Sequence, residues 1–390
     1  MKDRTLLMIP GPIEFEPEVL RALGAPTTSH VASDFIDAFG RCLEWMREVW
    51  QAPSGQPFVL AGSGTLAMDT AGANLIEPED RALVLSTGVF GDRYEDLLSR
   101  YGAEVTILRS PLGETVDFEA VERELEREDY RLMTATHVDT STGVRVDAER
   151  FGALGHRYDT LTILDGVCSV AGERISQEAW GLDVVLTASQ KAIGVPPGLA
   201  LLVVSERALS AWRSRKAPVG TYYADWGKWL PIMEAYEARR PSYFATPAVN
   251  LVWALDASLG QIVDEGLDRR FARHEALGTA CRAAIEALGL GMVPTSPEHA
   301  ANTLTAPRVP QGIGAADLLP RIREAGAIFA GGLHPEIRDE YFRIGHMGAA
   351  SSGDLLAAVG ALEIGLRDAG HPFAPGVGVA AAQEVFAPSR

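Results

Sequence analysis

Seven short apolar runs decide more about the fold of this chain than any other feature: Phe58 to Ala61, Ala82 to Ser86, Glu104 to Leu108, Leu132 to His137, Leu161 to Leu164, Val184 to Thr187 and Leu199 to Val204. Helical or looped crossovers separate them. Strands of this kind are covered on both faces, so the spacing predicts an α/β fold with a mostly parallel seven-stranded sheet under helices. Tyr94, Leu97, Leu98 and Tyr101 recur at i, i+3, i+4 and i+7, an amphipathic helix facing that sheet. Another helix is expected over Asp117 to Arg127. After Ser205 the pattern changes: a Trp/Tyr-rich stretch (Tyr222, Tyr223, Trp226, Trp229) leads into long helical segments from Ala248 to about Leu288. A smaller α+β unit follows, with strand candidates Ala301 to Thr305 and Tyr341 to Ile344 and helices over Ala315 to Ala325 and Gly353 to Arg367. The expected division is 1–20 as an N-terminal arm, 21–262 as a large domain and 263–390 as a small C-terminal domain. The Ala/Gly/Pro-rich tail from His371 reads as a loose arm.

Two of the strands end in chemically useful groups. Leu161-Thr162-Ile163-Leu164 runs into Asp165, and Asp183-Val184-Val185-Leu186-Thr187 runs into Ala188-Ser189-Gln190-Lys191. In a parallel sheet these ends share one rim. An amine and a carboxylate delivered there are what pyridoxal phosphate chemistry needs, the amine to bond the aldehyde and the carboxylate to hold the proton on the pyridine nitrogen. The phosphate end of such a cofactor needs backbone amides at a helix start, which Gly62-Ser63-Gly64-Thr65 supplies directly after Phe58-Val59-Leu60. Each feature alone has a plainer reading: an exposed lysine, a helix-capping aspartate, an ordinary strand-to-helix turn. Together they point to a cofactor enzyme. A dinucleotide fold would show G-x-G-x-x-G after the first strand and an acid about 20 residues on, and neither is present.

Composition bounds the alternatives. With 390 residues and 47% hydrophobic content the chain can build a sizeable core and more than one domain. No apolar stretch approaches the ~20 residues of a membrane span, and the run from Met1 into Pro10-Gly11-Pro12 lacks an extended signal-peptide core. A cytoplasmic enzyme is expected. Cys42, Cys168 and Cys281 are too scattered for a disulfide framework or a zinc site, so no metal is expected and the thiols read as buried. A formal charge of −17 argues against nucleic acid and membrane partners and leaves anionic substrates to local Arg and Lys.

Further segments fall into order along the chain: Ser86-Thr87-Gly88-Val89-Phe90-Gly91-Asp92-Arg93, Thr136-His137-Val138-Asp139-Thr140-Ser141-Thr142-Gly143, Asp165-Gly166-Val167-Cys168-Ser169, Tyr243-Phe244-Ala245-Thr246-Pro247 and Phe342-Arg343-Ile344-Gly345-His346-Met347-Gly348. With Gly62 to Thr65 and Ser189 to Ala192 they resemble the class V aminotransferases of fold type I, and among them the alanine–glyoxylate enzymes, from Pro10 to about Gly348. Gln56 to Thr65, His137 to Thr142 and Leu186 to Gly194 look especially like the fungal members.

The resemblance implies a role for each matching position. Lys191 bonds the cofactor and moves the proton that leaves the substrate. Asp165 faces the pyridine nitrogen. Val167 packs on one ring face, and Phe90 stacks on the other, where the family often has Trp; the exchange keeps a π surface and loses the indole donor. Thr140 lies near the phenolic oxygen, and Ser63, Gly64, Thr65 and Gln190 hold the phosphate. Tyr243 and Thr246 reach the phosphate of the neighbouring subunit, implying a homodimer with shared sites, although Tyr-x-x-Thr-Pro by itself also reads as a solvated loop. Arg343 grips the substrate α-carboxylate through its bidentate fork. Gly11 and the Ser29-His30 turn approach the substrate, His346 lines the entrance or packs inside, and Cys168 is buried and inert.

The implied reaction is ping-pong transamination from alanine to glyoxylate, giving pyruvate and glycine. No second anion clamp is evident, which favours small neutral amino acids and 2-oxo acids over aspartate or glutamate. Serine–glyoxylate and serine–pyruvate exchange would use the same parts. A desulfurase of this fold would need a loop cysteine in the second domain and a stacking His, whereas Cys281 lies in a helical pattern and Phe90 takes the stacking position. A non-catalytic relative would be expected to lack Lys191, Asp165 or Arg343.

Overall fold

The computed structural model describes residues 5–387. Its spine is a seven-stranded sheet in the order Gln56–Ala61, Leu199–Val204, Val184–Ala188, Leu161–Asp165, Leu132–Thr136, Arg81–Ser86, Glu104–Arg109. The last five run parallel to one another. Leu199–Val204 runs antiparallel to both of its neighbours. Leu132–Thr136, Leu161–Asp165, Val184–Ala188 and Leu199–Val204 are buried at every position, as continuous apolar runs require. A charge at the start of such a strand must be paired. Asp183 meets that condition by accepting hydrogen bonds from Thr162 N at 2.9 Å and Arg207 Nη1 at 2.8 Å.

Helices cover both faces. Val89–Arg100 carries the expected stripe, with Tyr94 and Leu98 buried and Leu97 and the following Tyr101 partly so. Phe118–Arg127 starts at Asp117, whose carboxylate accepts from Glu119 N and Ala120 N. Ser33–Val49, for which the sequence offered no reading, buries Phe35, Phe39, Leu43 and Met46 on one face at helical spacing.

A second apolar core gathers helices Leu267–Ala287, Ala315–Glu324 and Ser352–Asp368 around the three-stranded antiparallel sheet Leu304–Thr305, Phe342–Gly345, Ala330–Gly331. The strand expected over Ala301 to Thr305 shortens to its last two residues. The tail is not a loose arm: Val377–Phe386 is a helix packed into this core through Ala382. Glu363 holds its start, accepting from Gly376 N, Gly378 N and Val379 N at 2.7, 2.8 and 3.1 Å.

The N-terminal segment straps the two cores together. Leu6–Leu7 pairs in parallel with Ala327–Ile328, Gly345 N donates to Met8 O at 2.9 Å, and Ile13 N donates to Gln190 O at 3.3 Å. Among the described residues no helix is long and apolar enough to cross a membrane.

Candidate active site

The carboxyl ends of the parallel strands open onto a cavity of about 230 Å³ that gathers Gly11, Ser63, Gly64, Thr65, Phe90, Thr140, Asp165, Val167, Gln190 and Lys191. Asp165 is the last residue of its strand and is 2% exposed, with Val167 N donating to Oδ1 at 2.9 Å. Burial pushes its carboxyl up to about 7. The Val167 N–H opposes that rise, Asp139 adds to it, and Lys191 and Arg93 draw it down. The site thus holds a desolvated acid whose ionised form a neighbouring cation would stabilise.

Lys191 is buried too. Burial lowers its amine below the ordinary lysine range; Arg343 lowers it further, while Cys168 and Asp165 act the other way. Its Nζ donates to Pro10 O. Gly11, at φ +109°, must be glycine, because a Cβ there would come within 2.5 Å of Lys191 Cδ.

Helix Gly64–Leu75 begins at the cavity, and its N-cap Ser63 makes no side-chain capping bond, so first-turn N–H groups remain available to an anion. A Cβ on Gly64 would lie 2.8 Å from Val167 Cγ2, so glycine lets the helix start pack closely against Val167. Two buried acceptors in the lining, Thr136 Oγ1 and Gln190 Oε1, make no hydrogen bond within the chain. An uncapped helix start, orphaned polar atoms, a cation-seeking Asp165 and apolar walls at Val167 and Phe90 fit a planar, ring-protonated phosphate ester such as pyridoxal phosphate.

Arg343 stands beside the cavity on strand Phe342–Gly345. Its Nε donates to Gly331 O at 2.9 Å and its Nη1 to Thr140 O at 3.2 Å, an arrangement that orients the fork and leaves further donors for a carboxylate. Burial lowers its affinity for the proton, but a guanidinium remains charged.

Other expected residues lie elsewhere. Tyr243 and Thr246 are exposed and outside this cavity, with Tyr243 Oη 3.4 Å from Thr246 Oγ1 and its ring 5.2 Å from that of His30. The Ser29-His30 turn is on that same outer surface. His346 is a packed core residue, bonded through Nε2 to Thr305 Oγ1 at 2.9 Å, and burial pushes its imidazole down to about 3. Cys168 is a buried thiol in the cavity wall, raised by desolvation, and Cys281 is buried inside helix Leu267–Ala287.

Asp139 and Arg93 were quoted in motifs but given no role. Asp139 accepts from Phe90 N at 3.0 Å, Gly91 N at 3.2 Å and Ser141 N at 2.8 Å, and so fixes the start of the helix that presents Phe90. A signal existed: that helix follows Gly88, which has no side chain to cap it. Arg93 lines the cavity with its guanidinium 4.5 Å from the Phe90 ring centroid.

Known proteins resemble this chain over nearly its whole length. The aminotransferase class-V family model matches residues 17–339. Alanine–glyoxylate aminotransferase 1 of Saccharomyces cerevisiae is 38% identical over 363 residues, covering 90% of this chain and 94% of that protein. L-aspartate–glyoxylate aminotransferase of Paracoccus denitrificans is 32% identical over 391 residues, covering 99% of this chain and 97% of that one. The solved structure of ureidoglycine–glyoxylate aminotransferase from Bacillus subtilis superposes with a TM-score of 0.92 at 26% identity, over 99% of each chain.

Proposed function

Because the chain belongs to the class V aminotransferases, which work with pyridoxal phosphate, we propose that it moves the amino group of alanine to glyoxylate in a ping-pong cycle, releasing pyruvate and then glycine. The observation that carries the reading is the meeting of a desolvated amine and a desolvated acid in one small cavity beside Arg343. The cofactor, when bound, supplies an aldehyde to take up the amine and a ring that withdraws electrons from the substrate. Asp165 balances the charge of the protonated ring nitrogen. Lys191 Nζ takes the proton from the substrate Cα and returns one, a task its lowered proton affinity suits. Val167 and Phe90 would enclose the ring, Thr140 would lie on the side of the phenolic oxygen, and Ser63, Gly64, Thr65 and Gln190 would hold the phosphate. Arg343 binds the α-carboxylate and Gly11 adjoins it.

Alanine is favoured by the likeness to the yeast enzyme and by the small size of the cavity. Arg93 in that lining, and a relative named for L-aspartate, favour a dicarboxylic donor as the second reading. A panel of alanine, serine and aspartate against glyoxylate and pyruvate tests the assignment. The alanine–glyoxylate pair should give the highest kcat/KM, and a serine or aspartate donor that outruns alanine would overturn it.

Arg343→Lys should raise KM for alanine and glyoxylate together and lower kcat/KM about tenfold to a few hundredfold, since a charge-assisted hydrogen bond is worth roughly 1.5–3 kcal/mol. The visible spectrum of the holoprotein should not change. Intact kinetics would put the carboxylate elsewhere.

The same proposal includes a cytoplasmic homodimer with shared sites, in which exposed Tyr243 and Thr246 reach the partner's phosphate. Mixing inactive Lys191→Ala chains with inactive Thr246→Arg chains should then restore activity, because one site of each hybrid combines an intact Lys191 with an intact Thr246. No recovery under proven subunit exchange would mean that each chain builds its own site.

A further inference from the structure

Glu265, Arg270 and Arg273 lie outside the cavity, where helix Val249–Glu265 meets helix Leu267–Ala287, and no step above uses them. Glu265 accepts from Arg270 Nη1 at 2.8 Å, from Arg273 Nε at 2.6 Å and from Arg273 Nη2 at 3.0 Å. Burial pushes its carboxyl up, but the two guanidiniums outweigh burial and hold it at about 2.

The arginines spend their other donors in two directions. Arg270, only 6% exposed, donates Nε to Ala171 O at 2.7 Å and Nη2 to Ala192 O at 2.6 Å, and Ala192 directly follows Lys191. Arg273 Nη1 donates to Gly348 O at 3.0 Å and Ala350 O at 3.1 Å, while Gly348 N donates to His274 Nε2 at 2.9 Å. Gly348 closes the segment that leaves the strand bearing Arg343. The two clamped segments adjoin, since a Cβ on Gly348 would lie 3.7 Å from Lys191 O. Ion pairs of this kind, here with Arg270 buried and Glu265 and Arg273 partly exposed, contribute little net stability. What this one does well is fix geometry, because each guanidinium fork meets main-chain carbonyls at defined angles.

We propose that Glu265, Arg270 and Arg273 form a positioning node that sets the spacing between the Lys191 amine and the Arg343 guanidinium, so that a ligand bearing both an amine and an α-carboxylate meets both. This rests on the roles given to Lys191 and Arg343 above. Arg270 governs the amine side, Arg273 the carboxylate side, and Glu265 ties them together. Ligands held at two points should therefore feel the node, and ligands held at one point should not.

A matched pair of probes separates the cases. 2-Methylalanine has no Cα hydrogen to lose, so it binds without turnover; tert-butylamine replaces its carboxylate by a methyl group and likewise has no hydrogen to lose. Their dissociation constants are measured on the holoprotein by visible absorbance. Arg273→Gln should weaken 2-methylalanine about tenfold or more, the scale of a lost charge-assisted hydrogen bond, and leave tert-butylamine essentially unchanged. Arg273→Lys should act in the same direction with smaller effect, and it carries the comparison if the Gln variant does not fold. Equal weakening of both probes, or of neither, overturns the node. A parent protein in which Arg343→Lys leaves 2-methylalanine binding intact overturns the site assignment and the node with it. If Arg343→Lys weakens binding but the Arg273 variants do not, only the node falls.

Discussion

Lys191→Ala should lose several orders of magnitude in turnover and still retain the cofactor. Proton transfer by a positioned base alone contributes about 10²–10⁴-fold, and the same residue also bonds the cofactor. Retention is expected because the phosphate would be held by the helix start at Gly64 and Thr65 and by Gln190. The turn itself does not rest on the lysine side chain: Gly194 N donates to Lys191 O at 2.8 Å and Arg270 holds Ala192 O. In the parent protein, borohydride should fix the cofactor on one peptide, the one containing Lys191. Label on a different lysine would refute the assignment.

Asp165→Asn should slow the half-reaction with alanine strongly while phosphate anchoring persists, because an amide keeps the size of the acid but cannot balance a protonated ring. Unchanged kinetics would remove Asp165 from the site. The cofactor-free protein offers a second readout. Its Asp165 carboxyl sits at about 7, above the ~3.9 of an unfolded chain, so between those values the folded state binds more protons. Stability then falls as pH rises through that window, by up to about 4 kcal/mol at 1.36 kcal/mol per unit. Asn at 165 should remove that part of the slope. Parallel pH–stability curves for the two cofactor-free proteins would show that Asp165 is not held neutral by burial.

The strands were legible because full burial leaves an unbroken apolar run, and the two reactive residues were legible because a charge at the end of such a run stands out. Strand direction was not. Leu199–Val204 reads like its parallel neighbours, since side-chain character reports burial and is blind to the sense of the backbone. Asp139 was missed for a related reason: its partners are main-chain N–H groups of Phe90 and Gly91, which carry no residue code. Composition hid the helix Val377–Phe386, which follows the Gly- and Pro-containing stretch from His371, has a run of three alanines at its centre and has its start held by Glu363 from the preceding helix. Pro231 and the crowd of aromatics likewise masked Trp226–Glu237 as a helix. Exposure of Tyr243 and Thr246 gives no clue from one chain to what covers them.

The strap formed by the first residues has a consequence for biosynthesis. Leu6, Leu7 and Met8 are made long before Ala327, Ile328 and Gly345, their neighbours in the fold. Domains generally form in order of emergence, but here this segment must wait, unpaired, until the residues up to Gly345 have been made. The contact of Pro10 with Lys191 therefore closes as a late event, and a stalled or prematurely released nascent chain would carry the sheet without a finished pocket.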